Sequence, residues 1–151
     1  MDCYYMKEAL EEAKKSYDKG EVPIGAVVVR KGQVIGRGHN LKESLKDSTA
    51  HAEIIAIRDA CKNLGGWRLT ESTLYVTIEP CPMCAGAILQ SRIDRVVIGA
   101  MDPKSGACGS VIDLLGRDSF NHQSEVIIGV MGQESSDIIK KFFKTLRNKK
   151  P

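Results

Sequence analysis

Two short stretches of the chain hold residues whose types and spacing could bind a metal ion and use it. His51 and Glu53 stand two positions apart, Cys81 follows His51 by 30 positions, and Cys84 stands three beyond Cys81. On a helix, residues three apart share a face, so two thiolates could occupy two corners of a tetrahedral zinc site, with His51 at a third. Three protein ligands leave one position for water, which is typical of catalytic zinc.

Glu53 indicates chemistry rather than structure. Its carboxylate can stand beside the metal and accept a proton from the bound water, whose pKa zinc lowers to about 7. Both stretches open predicted helices, and the positive ends of helix dipoles favour thiolate over thiol. Taken alone, Cys-x-x-Cys also fits a redox pair, half of a zinc knuckle or two core thiols, and His-x-Glu also fits a solvated helix start. Their combination favours a catalytic zinc site.

Of the other three cysteines, Cys3 and Cys61 need no chemical role, whereas Cys108 could approach the site. Cys3 is close to the N-terminus, Cys61 falls in a predicted helix, and Cys108 lies in a glycine-rich loop where a small buried thiol is expected. The N-terminus has no basic-then-apolar signal peptide, so we expect a cytoplasmic protein whose thiols stay reduced.

Alternating helices and strands must position these residues. Periodicity and turn residues predict helices over 2–19, 50–63, 81–91 and 135–148. They predict strands over 22–30, 33–38, 72–78, 95–98 and 125–130, of which the first two form a hairpin. Ser48 and Thr49 are the predicted cap of the second helix. This order predicts an α/β sandwich, in which helices pack on the faces of one mixed sheet.

Composition fits one domain over residues 1–151. The 151 residues are 42 % hydrophobic and 27 % charged, which excludes disordered and collagen-like classes. The chain has no apolar run of the roughly 18–20 residues that a membrane-spanning helix needs, so no membrane is expected as a partner. The net charge of +3 is unevenly spread: residues 134–151 carry +4, including Lys144 and Arg147, and the first 133 residues carry −1.

Several motifs resemble those of the cytidine/deoxycytidylate deaminase superfamily and, more narrowly, of bacterial tRNA-specific adenosine deaminases. The zinc motifs, His51-Ala52-Glu53 and Pro80-Cys81-Pro82-Met83-Cys84, are similar to those of the whole superfamily. Further matches are Val22-Pro23-Ile24-Gly25, Gly38-His39-Asn40, Met101-Asp102-Pro103-Lys104, Asn121-His122 and Phe142-Phe143 with Arg147. The likeness covers nearly the whole chain, and the later motifs point to the tRNA enzymes.

The resemblance implies a fold, a cofactor and a reaction. The fold would be a three-layer α/β/α sandwich around a five-stranded mixed sheet. His51, Cys81 and Cys84 would hold one Zn²⁺ per subunit, and Glu53 would deprotonate the zinc-bound water that attacks C6 of adenine. Glu53 would then protonate N1 and the leaving amine, so that adenosine becomes inosine and ammonia leaves. The target would be the wobble adenosine, position 34, of an arginine tRNA anticodon.

The resemblance also implies substrate contacts and an assembly. The family is homodimeric, and residues of both subunits would meet the tRNA anticodon stem-loop. Asn40 would bind the flipped-out base, Pro23 and Ile24 would line its pocket, and Asp102 and Lys104 would contact sugar and backbone. The implied substrate-binding residues are Pro23, Ile24, Asn40, Ala52, Asp102, Lys104, Asn121, Phe143 and Arg147.

Two other functions stay open on the sequence. A free purine-base deaminase such as guanine deaminase would keep both zinc motifs but needs no basic surface. A zinc-stabilised RNA-binding protein without catalysis would not need Glu53 and would normally carry a fourth protein ligand.

Overall fold

The computed structural model describes residues 1–116 and 120–149, and within them four helices surround one sheet. The helices are α1 (Asp2–Asp18), α2 (Ala52–Leu64), α3 (Pro82–Gln90) and α4 (Gly132–Asn148). The strands are β1 (Gly25–Arg30), β2 (Gln33–His39), β3 (Ser72–Ile78), β4 (Arg95–Ala100) and β5 (Glu125–Ile128). None of these helices is long and apolar enough to cross a membrane.

The sheet is mixed, as predicted, with the strand order β2-β1-β3-β4-β5. β1 pairs antiparallel with both β2 and β3, whereas β3, β4 and β5 run parallel. A parallel pair needs a crossover, and α3 supplies the one between β3 and β4. The carboxyl ends of β3 and β4 therefore meet at one edge of the sheet, where open α/β sheets commonly bind ligands.

Alternate residues of the central strands bury two separate cores, which makes the fold a three-layer sandwich. Ala26 and Val28 of β1 face a core shared with α2 and α3. Val27 and Val29 face the other side of the sheet, where they pack with Tyr5 and Met6 of α1. Because β1 is apolar at every one of these positions, it can be buried on both faces.

Helix α2 packs unusually close to the edge strand β2, and two glycines allow this approach. A Cβ atom on Gly36 would lie 2.3 Å from the carbonyl oxygen of Ala56, and one on Gly38 would lie 2.3 Å from that of Ala52. No side chain fits these gaps. The close packing fixes the first turn of α2, which carries His51 and Glu53, against the sheet.

The element boundaries differ from the predicted ones where local backbone bonds compete with the pattern. β1 begins at Gly25 and not at 22, because a tight turn joins the Ile24 amide to the Val22 carbonyl at 2.9 Å. α2 begins at Ala52, and its N-cap is His51, so the predicted caps Ser48 and Thr49 do not cap it. α4 begins three residues earlier than predicted, after Met131 in a left-handed conformation (φ 53°).

Candidate active site

The candidate metal ligands lie at the starts of two helices that converge beside the edge of the sheet. His51 is the N-cap of α2 and Cys81 is the N-cap of α3, and neither helix has a side-chain cap hydrogen bond. Pro82 at the first position of α3 has no amide hydrogen to satisfy, which suits this place in a helix. The positive ends of both helices therefore face the same small volume.

The spacing of the three ligand atoms fits an ion with tetrahedral coordination. The Nδ1 atom of His51 lies 3.7 Å from the Sγ of Cys81 and 3.6 Å from the Sγ of Cys84. Bond lengths of about 2.3 Å to sulfur and about 2.0–2.1 Å to nitrogen, at a tetrahedral angle, require about 3.6 Å between two such ligands. All three ligand atoms lie within 4.8 Å of one another. Soft sulfur and imidazole donors at this spacing suit zinc.

The two thiols share one negative charge between them. The pKa of Cys81 is lowered to about 4, first because Cys84 donates a hydrogen bond to it and also because His51 does so. The pKa of Cys84 is raised, mainly because its proton is held by Cys81 and because the thiol is buried. Cys81 is thus ready as a thiolate, and a divalent cation is the partner that would let Cys84 release its proton as well.

Glu53 is a buried carboxyl beside the candidate ligands. Its side chain belongs to the first turn of α2 and is only 4 % exposed. Burial raises its pKa to about 7, because the charged form loses hydration. A carboxyl whose pKa lies near neutrality can accept and release a proton at little cost, which is the requirement for a general acid–base group.

Around Glu53 lies a cleft of about 140 Å³. Ile24, Asn40, Ala52 and Asp102, all predicted substrate-binding residues, contribute to its walls together with the candidate ligands His51 and Cys81. The chain holds the Asn40 backbone in place, since the Ser16 hydroxyl donates to its carbonyl oxygen at 2.8 Å. Its side-chain amide donates to the Val22 carbonyl at 3.3 Å.

Asp102 stands on a loop over residues 101–110 that forms another wall of the cleft. Its carboxylate accepts hydrogen bonds from the Lys104 amide at 3.0 Å and from the Ser105 hydroxyl at 2.7 Å. These bonds fix the carboxylate's orientation. Ser105 also lines the cleft, although no sequence pattern singled it out.

Beyond Asp102 the cleft continues outward along helix α4. A neighbouring cavity of about 440 Å³ is lined by Ile24, Asp102, Lys104 and Phe143. The next one, about 410 Å³, is lined by Lys104, Lys140, Phe143 and Arg147. We call these two cavities the α4 groove. Lys144 is exposed but does not line it, so the basic residues of this groove are Lys104, Lys140 and Arg147.

Two of the predicted substrate-binding residues, Pro23 and Asn121, line neither the cleft nor the α4 groove. Pro23 is buried. Its two neighbours in the turn before β1, Val22 and Ile24, line the adjoining cavity instead. Asn121 is exposed and precedes β5, whose first residue pairs with Arg95 at the start of β4. Asn121 therefore lies where β4 and β5 begin, whereas the cleft lies at the end of the sheet where β3 and β4 finish.

Sequence patterns assigned no role to two buried glutamates, Glu79, which lines the cleft, and Glu21. Glu21 accepts hydrogen bonds from the Glu43 amide at 3.0 Å and from the amide and hydroxyl of Ser44, both at 2.6 Å. It thereby fixes the segment between Asn40 and His51. Glu79 does the same for the loop over 101–110. An isolated glutamate before a strand or after one is not a signal that periodicity can detect.

Comparisons with known proteins agree on one family. Residues 2–147 match the MafB19-like deaminase family model. A tRNA-specific adenosine deaminase of Bacillus subtilis (strain 168) is 56 % identical over 149 residues, which are 99 % of this chain and 92 % of the relative.

Two solved structures extend the comparison. One, from work on A-to-I editing by tRNA:A34 deaminases at the wobble position of transfer RNA, has a TM-score of 0.86 and 47 % identity, covering 89 % of this chain and 98 % of the other. A guanine deaminase from Bacillus subtilis has a TM-score of 0.64 and 31 % identity, covering 98 % and 96 %.

The identity is therefore much higher to the tRNA enzymes than to the guanine deaminase, over a similar share of the chain. Fold, site geometry and relatives agree: the chain is an enzyme of the MafB19-like deaminase family and belongs among its tRNA-specific adenosine deaminases.

Proposed function

We propose that this chain is a zinc-dependent hydrolase that acts on adenosine 34 in the anticodon of an arginine tRNA. The products are inosine at that position and ammonia. The observation that carries the proposal is a buried Glu53 beside the His51, Cys81 and Cys84 ligand atoms, in a cleft that opens into a groove with basic residues. The relatives named for tRNA adenosine deamination and A34 editing support it.

His51, Cys81 and Cys84 would hold one zinc ion per chain. When bound, zinc supplies a Lewis acid that lowers the pKa of a water to about 7 and so provides a nucleophile at neutral pH. The donor set is neutral overall with Zn²⁺, since two thiolates balance its charge. The cleft therefore does not need a further charged ligand.

Glu53 carries the protons of the reaction. Its carboxylate accepts a proton from the attacking water and passes it to N1 of adenine as the oxygen adds to C6. It then carries the second water proton to the exocyclic amine, so that the C6–N bond breaks and ammonia leaves. Burial of Glu53 keeps bulk water away from its carboxylate.

The cleft residues would bind the flipped-out base and its neighbours. The Asn40 side chain donates to the Val22 carbonyl and accepts from the Lys42 amide, and its second N–H and second lone pair can read a base edge. Ile24 and Ala52 offer apolar surface to its ring, and Asp102 can accept from a sugar hydroxyl. Further out, Phe143 is 40 % exposed in the α4 groove and can stack on a base of a single-stranded loop.

The decisive assay compares an anticodon stem-loop carrying A34 with free guanine, adenosine and cytidine. We expect inosine and ammonia from the stem-loop alone. Turnover of free guanine without any change in the RNA would instead favour a purine-base deaminase, and RNA binding without turnover of any substrate would contradict an enzyme. Stem-loops with arginine and other anticodons test the tRNA preference in the same experiment.

Neutralising the α4 groove should weaken RNA binding in a salt-dependent way. The double variant Lys140→Gln/Arg147→Gln removes two positive charges that line the groove. The logarithm of the association constant for RNA falls linearly with the logarithm of the salt concentration. The slope of this line should become shallower by about 0.7–0.9 for each phosphate that the variant no longer neutralises. We expect KM for the stem-loop to rise at low salt and to vary less with salt, while kcat changes little.

The control for the loss of two positive charges as such is the double variant Lys31→Gln/Lys62→Gln. Lys31 lies in the β1–β2 turn and Lys62 in the last turn of α2, both at the other end of the sheet. Equal effects of the two double variants would mean that overall charge, and not the groove, determines binding.

We propose a homodimer as the working unit and the cytoplasm as its location, where tRNA is found. Asn121 remains a candidate RNA-binding residue only if a second subunit brings the RNA to it, because it lies away from this chain's own cleft. Light scattering in solution measures the oligomeric state. A monomer that is fully active would remove Asn121 from the site.

A further inference from the structure

One buried carboxylate outside the reaction described above has an unusual set of partners. Glu79 follows β3 directly and is 4 % exposed. It accepts hydrogen bonds from the amides of Asp102 at 2.8 Å, Cys108 at 2.9 Å and Ser110 at 3.0 Å, and from the Ser110 hydroxyl. All four donors belong to the loop over residues 101–110.

This loop is folded around the Glu79 carboxylate. A Cβ atom at Gly106 would lie 2.2 Å from the carboxylate, so the backbone passes as close as a residue without a side chain allows. The Ala107 amide donates to the Pro80 carbonyl at 2.8 Å, which adds one bond between the same two segments. Three of the four bonds to the Glu79 side chain come from backbone amides, so they fix the path of the chain and not a single rotamer.

The same loop carries residues that face the cleft. Asp102 and Ser105 line both the cleft and the inner part of the α4 groove, and Lys104 lines the groove. Glu79 itself stands two residues before the candidate ligand Cys81. A single side chain therefore joins the segment that holds the two candidate cysteine ligands to a loop that forms another wall of the cleft.

We propose that Glu79 is a positioning residue for RNA binding, which holds residues 102–110 so that Asp102, Lys104 and Ser105 face the substrate. The inference rests on the proposed function. The role requires a carboxylate, because all four partners are donors and an amide at this position would turn an N–H group toward other N–H groups.

The first test is the variant Glu79→Gln, which keeps the size of the side chain and removes one acceptor. We expect KM for the A34 stem-loop to rise about tenfold or more, with kcat within about threefold of wild type and an unchanged zinc content. A merely structural role would lower zinc content, folded fraction and kcat and leave KM unchanged. That result would overturn the proposal.

The matched control is Asp94→Asn. The Asp94 carboxylate also accepts a backbone amide, that of Glu71 at 2.8 Å, but it precedes β4 and so lies at the edge of the sheet away from the cleft. We expect KM and kcat to stay at the wild-type values. An equal rise in KM in the control would overturn the assignment to Glu79.

Amide hydrogen exchange gives a readout that does not depend on activity. Glu79→Gln should speed exchange at Asp102, Cys108 and Ser110 relative to wild type and to Asp94→Asn. The milder variant Ser110→Ala removes only the hydroxyl donor and should raise KM in the same direction by a smaller factor. Unchanged exchange at these three amides in both Glu79→Gln and Ser110→Ala would overturn the proposal.

The exchange experiment also separates this proposal from the proposed function. If the wild-type enzyme does not deaminate the stem-loop, the proposed function fails, and the RNA-binding part of this inference fails with it. The exchange rates still decide whether Glu79 holds the loop.

Discussion

Replacing Glu53 with glutamine is expected to lower kcat for the A34 stem-loop by about 10²–10⁴-fold, the usual contribution of a general acid–base group. Glutamine has the same size and fits the same buried position in the first turn of α2, so the fold should be kept. It cannot take a proton from the attacking water. Because no candidate ligand is changed, zinc content by elemental analysis should stay at one per chain.

The control for this variant is Glu134→Gln. Glu134 also stands in the first turn of a helix, α4, but it is exposed and lies outside the cleft. We expect wild-type kcat and KM from it. A Glu53→Gln enzyme that keeps most of its kcat would remove Glu53 from proton transfer, and one that loses its zinc would assign Glu53 to metal binding instead.

Replacing Cys84 with serine is expected to weaken zinc binding by at least about a hundredfold and to abolish deamination. The change exchanges a soft thiolate for a hydroxyl, which is a poor ligand for zinc, at an atom 3.6 Å from the His51 nitrogen. Loss of even an outer-shell partner commonly costs about 10–100-fold in metal affinity, so loss of a ligand should cost at least as much. Elemental analysis after dialysis measures the zinc that remains.

Cys3→Ser is the matched control for the cysteine variant. Cys3 is exposed near the start of α1, and it is not part of the His51, Cys81 and Cys84 group. Its replacement should leave zinc content and activity unchanged. Full zinc retention in Cys84→Ser would contradict the assignment of this cysteine as a ligand.

The candidate site was largely predictable where its residues are neighbours along the chain. The spacing of Cys81 and Cys84 places both thiols on one face at a helix start, and the structure brings their sulfur atoms together with the His51 nitrogen. The alternation of helices and strands likewise predicted the mixed five-stranded sheet. Element boundaries were less predictable, since a single turn bond such as Ile24 to Val22 ends a strand that its apolar pattern would continue.

Interactions between distant segments were the part that sequence patterns could not supply. Asn121 was expected at the cleft, yet β5 pairs in parallel with β4 and so carries the preceding residues to the other edge of the sheet. Glu79 reaches backbone amides 23 to 31 residues away. A backbone amide has no residue type, so no motif records which amides a carboxylate will meet.

The sequence by itself thus determined the kind of chemistry, because ligand type and short-range helical spacing are local properties of the chain. Only the tertiary structure decided which surface continues from the cleft, which lysines line it, and which buried carboxylates hold its walls. Those features depend on the parallel pairing of β3 with β4, which brings the ends of two segments, at Glu79 and Asp102, to one edge of the sheet.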